Sequence, residues 1–219
     1  KINLSYKIFV NPVTGLIPQP DIITNIQKAV KEMNQLCENL STSFRFQLFE
    51  DPLLIGGPDA SGHVNFWFNT NLQLGGNLKQ LDIMANSFFN PDYPTDQTNC
   101  FSWRPNAVNI YMSGRGYGGV SLLPGQGNSI GLCIDNDFNG VSGHIHELGH
   151  FFGLLHTHES NGMFNDLLLD NKSFNSADEI SYANFNKPLR SLDNQQKKLI
   201  ENTWSNIMSY HGSKDNNLN

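Results

Sequence analysis

Residues 142–159 read SGHIHELGHFFGLLHTHE and hold five of the chain's seven histidines. Among them, His146, Glu147, His150, Gly153 and His156 stand in the spacing H-E-x-x-H-x-x-G-x-x-H. Side chains four residues apart share one face of a helix, so His146 and His150 can offer two imidazoles to one ion. Glu147, beside the first of them, can reach a water on that ion without binding the ion itself. A catalytic zinc needs a third protein ligand and an open fourth position. A helix that simply continued would carry His156 away. Gly153 removes that obstacle, because glycine can take the left-handed backbone that ends a helix and turns the chain. Leu148, Phe151 and Phe152 are expected to seat the helix on a core, with Ser142 as its N-cap. Two plainer readings stand beside this one: a His-rich helix that binds nothing, and a zinc site that only staples a binding module. Glu147 and Gly153 weigh against the staple, which needs neither a general base nor an open position.

A second signal lies downstream, at Asn206-Ile207-Met208-Ser209-Tyr210. Met208 has the soft, space-filling side chain suited to a floor beneath three imidazoles, although an ordinary core methionine would look the same. The zinc motif followed by such a methionine turn resembles the metzincin clan of zinc endopeptidases. His156-Thr157 and the NIMSY turn most resemble the pappalysin family, including its cytophagalysin-like members. Serralysins also place Ser-Tyr after the methionine. They usually carry Pro after the third His and Gly/Asp-rich calcium repeats, and this chain has neither.

The resemblance rests on residues 146–157 and 206–210. It implies an α+β, metzincin-like fold and a single catalytic domain over 1–219. Residues 1–153 would form an N-terminal lobe with a twisted, mixed five-stranded sheet and two long helices. Residues 154–219 would form a smaller, irregular C-terminal lobe, with a cleft between the two. It further implies Zn2+ on His146, His150 and His156, Glu147 as general base, and Tyr210 as a zinc ligand or a donor to the oxyanion. The substrate would be a protein or peptide aligned by an edge strand within 107–123. A secreted, monomeric enzyme released from a pro-segment fits the same picture, as does the lack of an initiating Met. Two departures stand out. No cysteine follows Cys133, and the only acids early in the stretch after His156 are Glu159, Asp166 and Asp170, so a Ca2+ site there has thin support. Only nine residues follow Tyr210, where the family usually carries a helix.

These residues must be positioned by the rest of the chain. Leu4–Val10 alternates and predicts a strand, followed by a loop at Pro12, Gly15, Pro18 and Pro20. Ile22, Ile26, Ala29, Val30 and Met33 recur at helical spacing within a helix predicted over Asp21–Leu40, their apolar face forming core. Further strands are predicted at Ser43–Glu50, Val64–Phe68, Ala107–Met112 and Ile130–Ile134, with a helix within Asn77–Phe89. After His156 the periodicity degrades, and only Asp193–Trp204 reads as another helix. Strands mixed with amphipathic helices imply a mixed sheet with helices packed on it.

Composition bounds the partners. Hydrophobic residues at 38% exclude global disorder, and a net charge of -6 argues against a grip on nucleic acid or anionic lipid. No apolar run is long enough to span a membrane. Cys37, Cys100 and Cys133 allow one bridge, with Cys100–Cys133 the preferred pair, or three buried thiols. Sequons at Asn3, Asn39 and Asn171 are expected by chance in so Asn-rich a chain. Gly114–Gly119 satisfies G-x-G-x-x-G, but Pro124, Gly125 and Gly127 follow where a helix is required, so a cleft-side loop is the better reading. Asp135, Asp137, Asn139 and Gly140 imitate half an EF-hand loop whose last ligand position is His146, leaving a polar turn or a different calcium site. His144 and His158 read as partly exposed loop residues or as hydrogen-bond partners of the ligands. His63 and His211 read as structural or solvated.

Overall fold

Strand β1 (Ile2–Phe9) is an interior strand of the sheet, and both of its faces are buried. Leu4, Tyr6 and Ile8 point to one side; Ser5, Lys7 and Phe9 point to the other. Burial on both faces is what a parallel sheet requires. The computed structural model describes residues 1–60, 64–65, 101–113, 119–121, 131–135, 141–156, 168 and 174–204. Within these the fold is α+β, with six strands and four α-helices.

Along one side of β1 lie β2 (Phe46–Leu48) and β3 (Leu53–Ile55), both parallel to it. They occupy a single edge position, but the register slips by two residues between Leu4↔Leu48 and Lys7↔Leu53. The segment predicted as one strand over Ser43–Glu50 is therefore shorter, and a bulge carries Glu50 and Asp51 away from the ladder. On the other side β1 pairs with β4 (Val108–Ser113), and β4 pairs with β6 (Gly131–Asp135), again parallel. The short β5 (Gly119–Ser121) closes the order β2-β1-β4-β6-β5 as the one antiparallel neighbour, paired with β6. The sheet is thus mixed and mostly parallel.

The predicted strand at Val64–Phe68 is corrected: Val64 and Asn65 are helical. A five-residue apolar run is compatible with a buried helical turn as well as with a strand. Here Asn65 decides, since its side chain accepts from the Gly57 N–H and donates to the carbonyls of Gly57 and Ala60. The rest of that run, and the helix expected within Asn77–Phe89, lie outside the described residues.

Helix α1 (Ile22–Asn39) packs Ile22, Ile26, Val30 and Met33 against Leu4, Tyr6, Ile8, Val108, Ile110 and Met112. Asn34 of α1 exchanges two hydrogen bonds with the backbone of Phe46, occupying part of the outer edge of β2 that would otherwise stay open. Helix α2 (Val141–Phe151) joins the same core through Leu148, with Ile145 and Phe151 packed around it.

Chain contacts divide the protein into two compact units, Lys1–Phe152 and Gly153–Asn219. Over 174–204 the second unit is helical rather than irregular: α3 (Ala177–Phe185), a 3-10 turn at Leu189–Ser191, and α4 (Asn194–Trp204). Its own core is Ala177, Ile180, Leu192, Ile200 and Trp204. Asp193 and Gln196 exchange side-chain-to-backbone bonds that start α4. Among the described residues no helix is long and apolar enough to cross a membrane.

Candidate metal centre

Helix α2 carries the site because two faces of one sequence serve two ends. His144, Leu148 and Phe151 fall at i, i+4 and i+7 and form the face turned to the core. His146 and His150, also four apart, lie on a neighbouring face. Their rings meet edge-on, 4.7 Å between centroids, and the two Nε2 atoms stand 3.2 Å apart. The last helical bonds run from the Phe152 N–H to the carbonyls of Leu148 and Gly149, and Gly153 follows with φ of +92°. In that region a side chain beyond glycine is strained. The chain then reaches His156, and one ring nitrogen from each of His146, His150 and His156 lies within 4.8 Å of the others.

Whether this trio fits a metal can be tested on its spacing. A tetrahedral zinc sits about 2.0–2.1 Å from each imidazole nitrogen, which sets the nitrogens about 3.3 Å apart. The His146–His150 separation matches that value; the full set is looser. At that separation one imidazole can donate to the other, or a cation can lie between the two nitrogens. Three imidazole nitrogens are a donor set suited to zinc and its neighbours in the first transition row.

Glu147 is buried at 5% exposure, and its Oε2 finds no hydrogen-bond partner among the described residues. Burial pushes its carboxyl up to about 8. A buried carboxyl with an unpartnered oxygen, on the same helix as two of the imidazoles, is the kind of group that exchanges protons readily. A cation on the imidazoles would favour its ionised form.

Three expectations about this segment are corrected. His144 is neither exposed nor in a loop: it is helical and 3% exposed, with its ring edge-on to Tyr6 at 5.9 Å. Its position four residues before Leu148 was the available sign. Burial pushes its imidazole down to about 4, so it is neutral in ordinary conditions. Ser142 lies inside the first turn of α2 and does not cap it. Phe152 is 49% exposed, because it falls where the helix ends and the chain turns outward.

Met208, Tyr210, Thr157, His158, His63 and His211 lie outside the described residues, as do Glu159, Asp166, Asp170 and residues 136–140 of the calcium-like turn. Cys37 is a free thiol, half-buried on α1, and Cys100 also lies outside the described residues. No protein-family model matches the chain, and the search of curated proteins found no relative.

Proposed function

We propose that the chain is a zinc-dependent endopeptidase of the metzincin type, most like the pappalysins, acting outside the cell as a monomer on protein or peptide substrates. The observation that carries this reading is the convergence of three imidazoles, two of them on the helix that carries the buried Glu147, whose Oε2 has no hydrogen-bond partner among the described residues. His146, His150 and His156 would hold the zinc. Bound there, the ion supplies Lewis acidity, acidifying water and polarising a carbonyl. Glu147 takes a proton from water as it adds to the peptide carbonyl, and returns that proton to the leaving amine. Tyr210 donates to the oxygen on which negative charge develops, and Met208 packs beneath the imidazoles. The substrate lies extended along β5, the terminal strand of the described sheet, and is aligned by main-chain hydrogen bonds. The lobes and the cleft between them belong to the same proposal.

The test is zinc content and cleavage of a quenched peptide library, measured on the native protein and on Glu147→Ala. The native protein is expected to hold one zinc and to cleave, with cleavage lost to a chelator and restored by zinc. Glu147→Ala is expected to keep zinc and fold while its rate falls by about 10²–10⁴. Undiminished proteolysis in that variant would sink the mechanism. Zinc bound by the native protein without any turnover would favour the stapled binding module instead.

A further inference from the structure

The face of the sheet turned away from α1 and α2 holds a buried polar cluster around Lys7. Lys7 is 0% exposed in the middle of β1. Its Nζ donates to the Ser5 carbonyl at 3.2 Å and to Asn109 Oδ1 on β4, and lies 5.4 Å from the centre of the Tyr111 ring. Among the described residues, 101–104 pack on the same face, against the neighbours of Lys7, and form a cover there. Phe101 and Trp103 are buried there against Phe9 and Tyr111, and the Tyr111 hydroxyl donates to the Phe101 carbonyl. Arg104 is held twice. Its backbone N–H donates to Asn109 Oδ1 at 2.8 Å, and its guanidinium grips both oxygens of Glu50 at 2.8 Å. Ser5 Oγ donates to the same Glu50. The bulge between β2 and β3 places that carboxylate there. Asn109 Oδ1 therefore accepts from both Lys7 and the cover.

We propose that this cluster is a proton-linked clasp: it holds residues 101–104 on the sheet most tightly in mildly alkaline solution and lets them open more often as pH falls toward neutral. Closing the cover strips Lys7 of water, which favours the neutral amine; lifting the cover returns water and favours the ammonium. Among the described residues, the charged groups facing Lys7 from the elements packed against it are Glu50 and Arg104, with the Tyr111 phenol beside them. Burial outweighs the attraction of Glu50, Arg104 adds to it, and the amine is pushed down from 10.5 to about 7. Burial alone would raise the Glu50 carboxyl, but hydrogen bonds from Arg104 and Ser5 outweigh it and hold the carboxyl below its usual range. The hydrogen bonds to Glu50 raise the Arg104 guanidinium, so both partners stay charged throughout the window in which Lys7 titrates.

The sign follows from which form binds the proton. Between about 7 and 10.5 the open form carries a proton on Lys7 that the closed form lacks. Stability of the closed form therefore rises with pH across that window and flattens below it, where both forms are protonated. One proton per opening corresponds to about a tenfold change in the opening constant per pH unit at most.

Hydrogen exchange at the Arg104 amide reads this directly, after correction for the intrinsic pH dependence of exchange. The opening constant is expected to fall several-fold per pH unit between about pH 7.5 and 9.5 in the native protein, and to be flat in Lys7→Met. A flat profile in the native protein, or the same slope in Lys7→Met, overturns the proposal. Should Lys7→Met not fold, an NMR titration of the Lys7 Cε resonance in the native protein decides. A midpoint near 7 supports the clasp, and a midpoint in the ordinary lysine range overturns it.

Discussion

At the scale of single residues, Gly153 concentrates the demand of the site in one backbone angle. With φ at +92° it follows the end of α2, which stops at Phe151, one residue after His150, and the third imidazole comes three residues later. An alanine there costs about 1–2 kcal/mol of backbone strain, because its Cβ crowds the neighbouring carbonyl. Gly153→Ala is expected to lose about that much in urea unfolding and to bind zinc at least tenfold more weakly in a chelator competition. Phe152→Ala, one residue earlier but half-exposed, is expected to change stability by under about 0.5 kcal/mol and leave zinc affinity unchanged. Equal zinc affinity in native protein and Gly153→Ala would mean that the turn does not set the ligand geometry. This part of the site was legible in the sequence because ligand spacing and helical repeat coincide: four residues put His146 and His150 on one face. The burial of His144 was not, because the same clustering that drew attention to the ligands made a neighbouring histidine look peripheral. Its place in the row with Leu148 and Phe151 was the one sign of burial, and the ligand spacing overshadowed it.

At the scale of elements, the site is only as rigid as the seat of α2. That helix touches the shared core through Leu148, 2% exposed, with Ile145 and Phe151 beside it. Leu148→Ala leaves a cavity beneath the helix and is expected to cost about 2–5 kcal/mol. It should also weaken zinc binding, since the residue lies between the two ligand positions on the same turn. Ile26→Ala, in α1 on the same core, is expected to cost a similar amount of stability, measured by denaturant unfolding, while zinc affinity stays within a few-fold. Parallel losses of zinc affinity in both variants would mean that the core supports the site only globally. Elements with strong periodicity were legible in the sequence: β1, α1, β4, β6 and α4 all lie where the alternation or the three-and-four spacing puts them. Elements decided by tertiary contact were not. β5 is three residues long and exists as the partner of β6. The break between β2 and β3 follows Glu50 turning out of the ladder toward Arg104 and Ser5. α3 is only nine residues long and its apolar residues do not form one stripe, so its signs were local: Ser176 before it, Asp178 and Glu179 in its first turn, and Asn186 in the left-handed conformation at its end.

At the scale of the whole molecule, an ion bound only by the folded chain adds its binding free energy to stability. The three imidazoles converge only when α2 ends at Gly153 and the following residues return, so the unfolded chain offers no comparable site. At a free zinc concentration of one hundred times the dissociation constant, the gain is about 2.7 kcal/mol. In a chain of this size that corresponds to about 5–10 °C in the melting temperature. Scanning calorimetry with zinc and with a chelator is expected to show that difference in the native protein and in Glu147→Ala, which keeps all three ligands. His150→Ala should lose it. The net charge of -6 attracts any divalent cation weakly, so magnesium at the same concentration serves as the control and is expected to shift melting little. The two units each have a core of their own, so the shift should be read on the transition that includes unfolding of α2, followed by loss of helical signal in an α2-labelled sample. A zinc shift that survives in His150→Ala, or that magnesium reproduces, would mean that cations stabilise the chain through its overall charge and not through the three histidines.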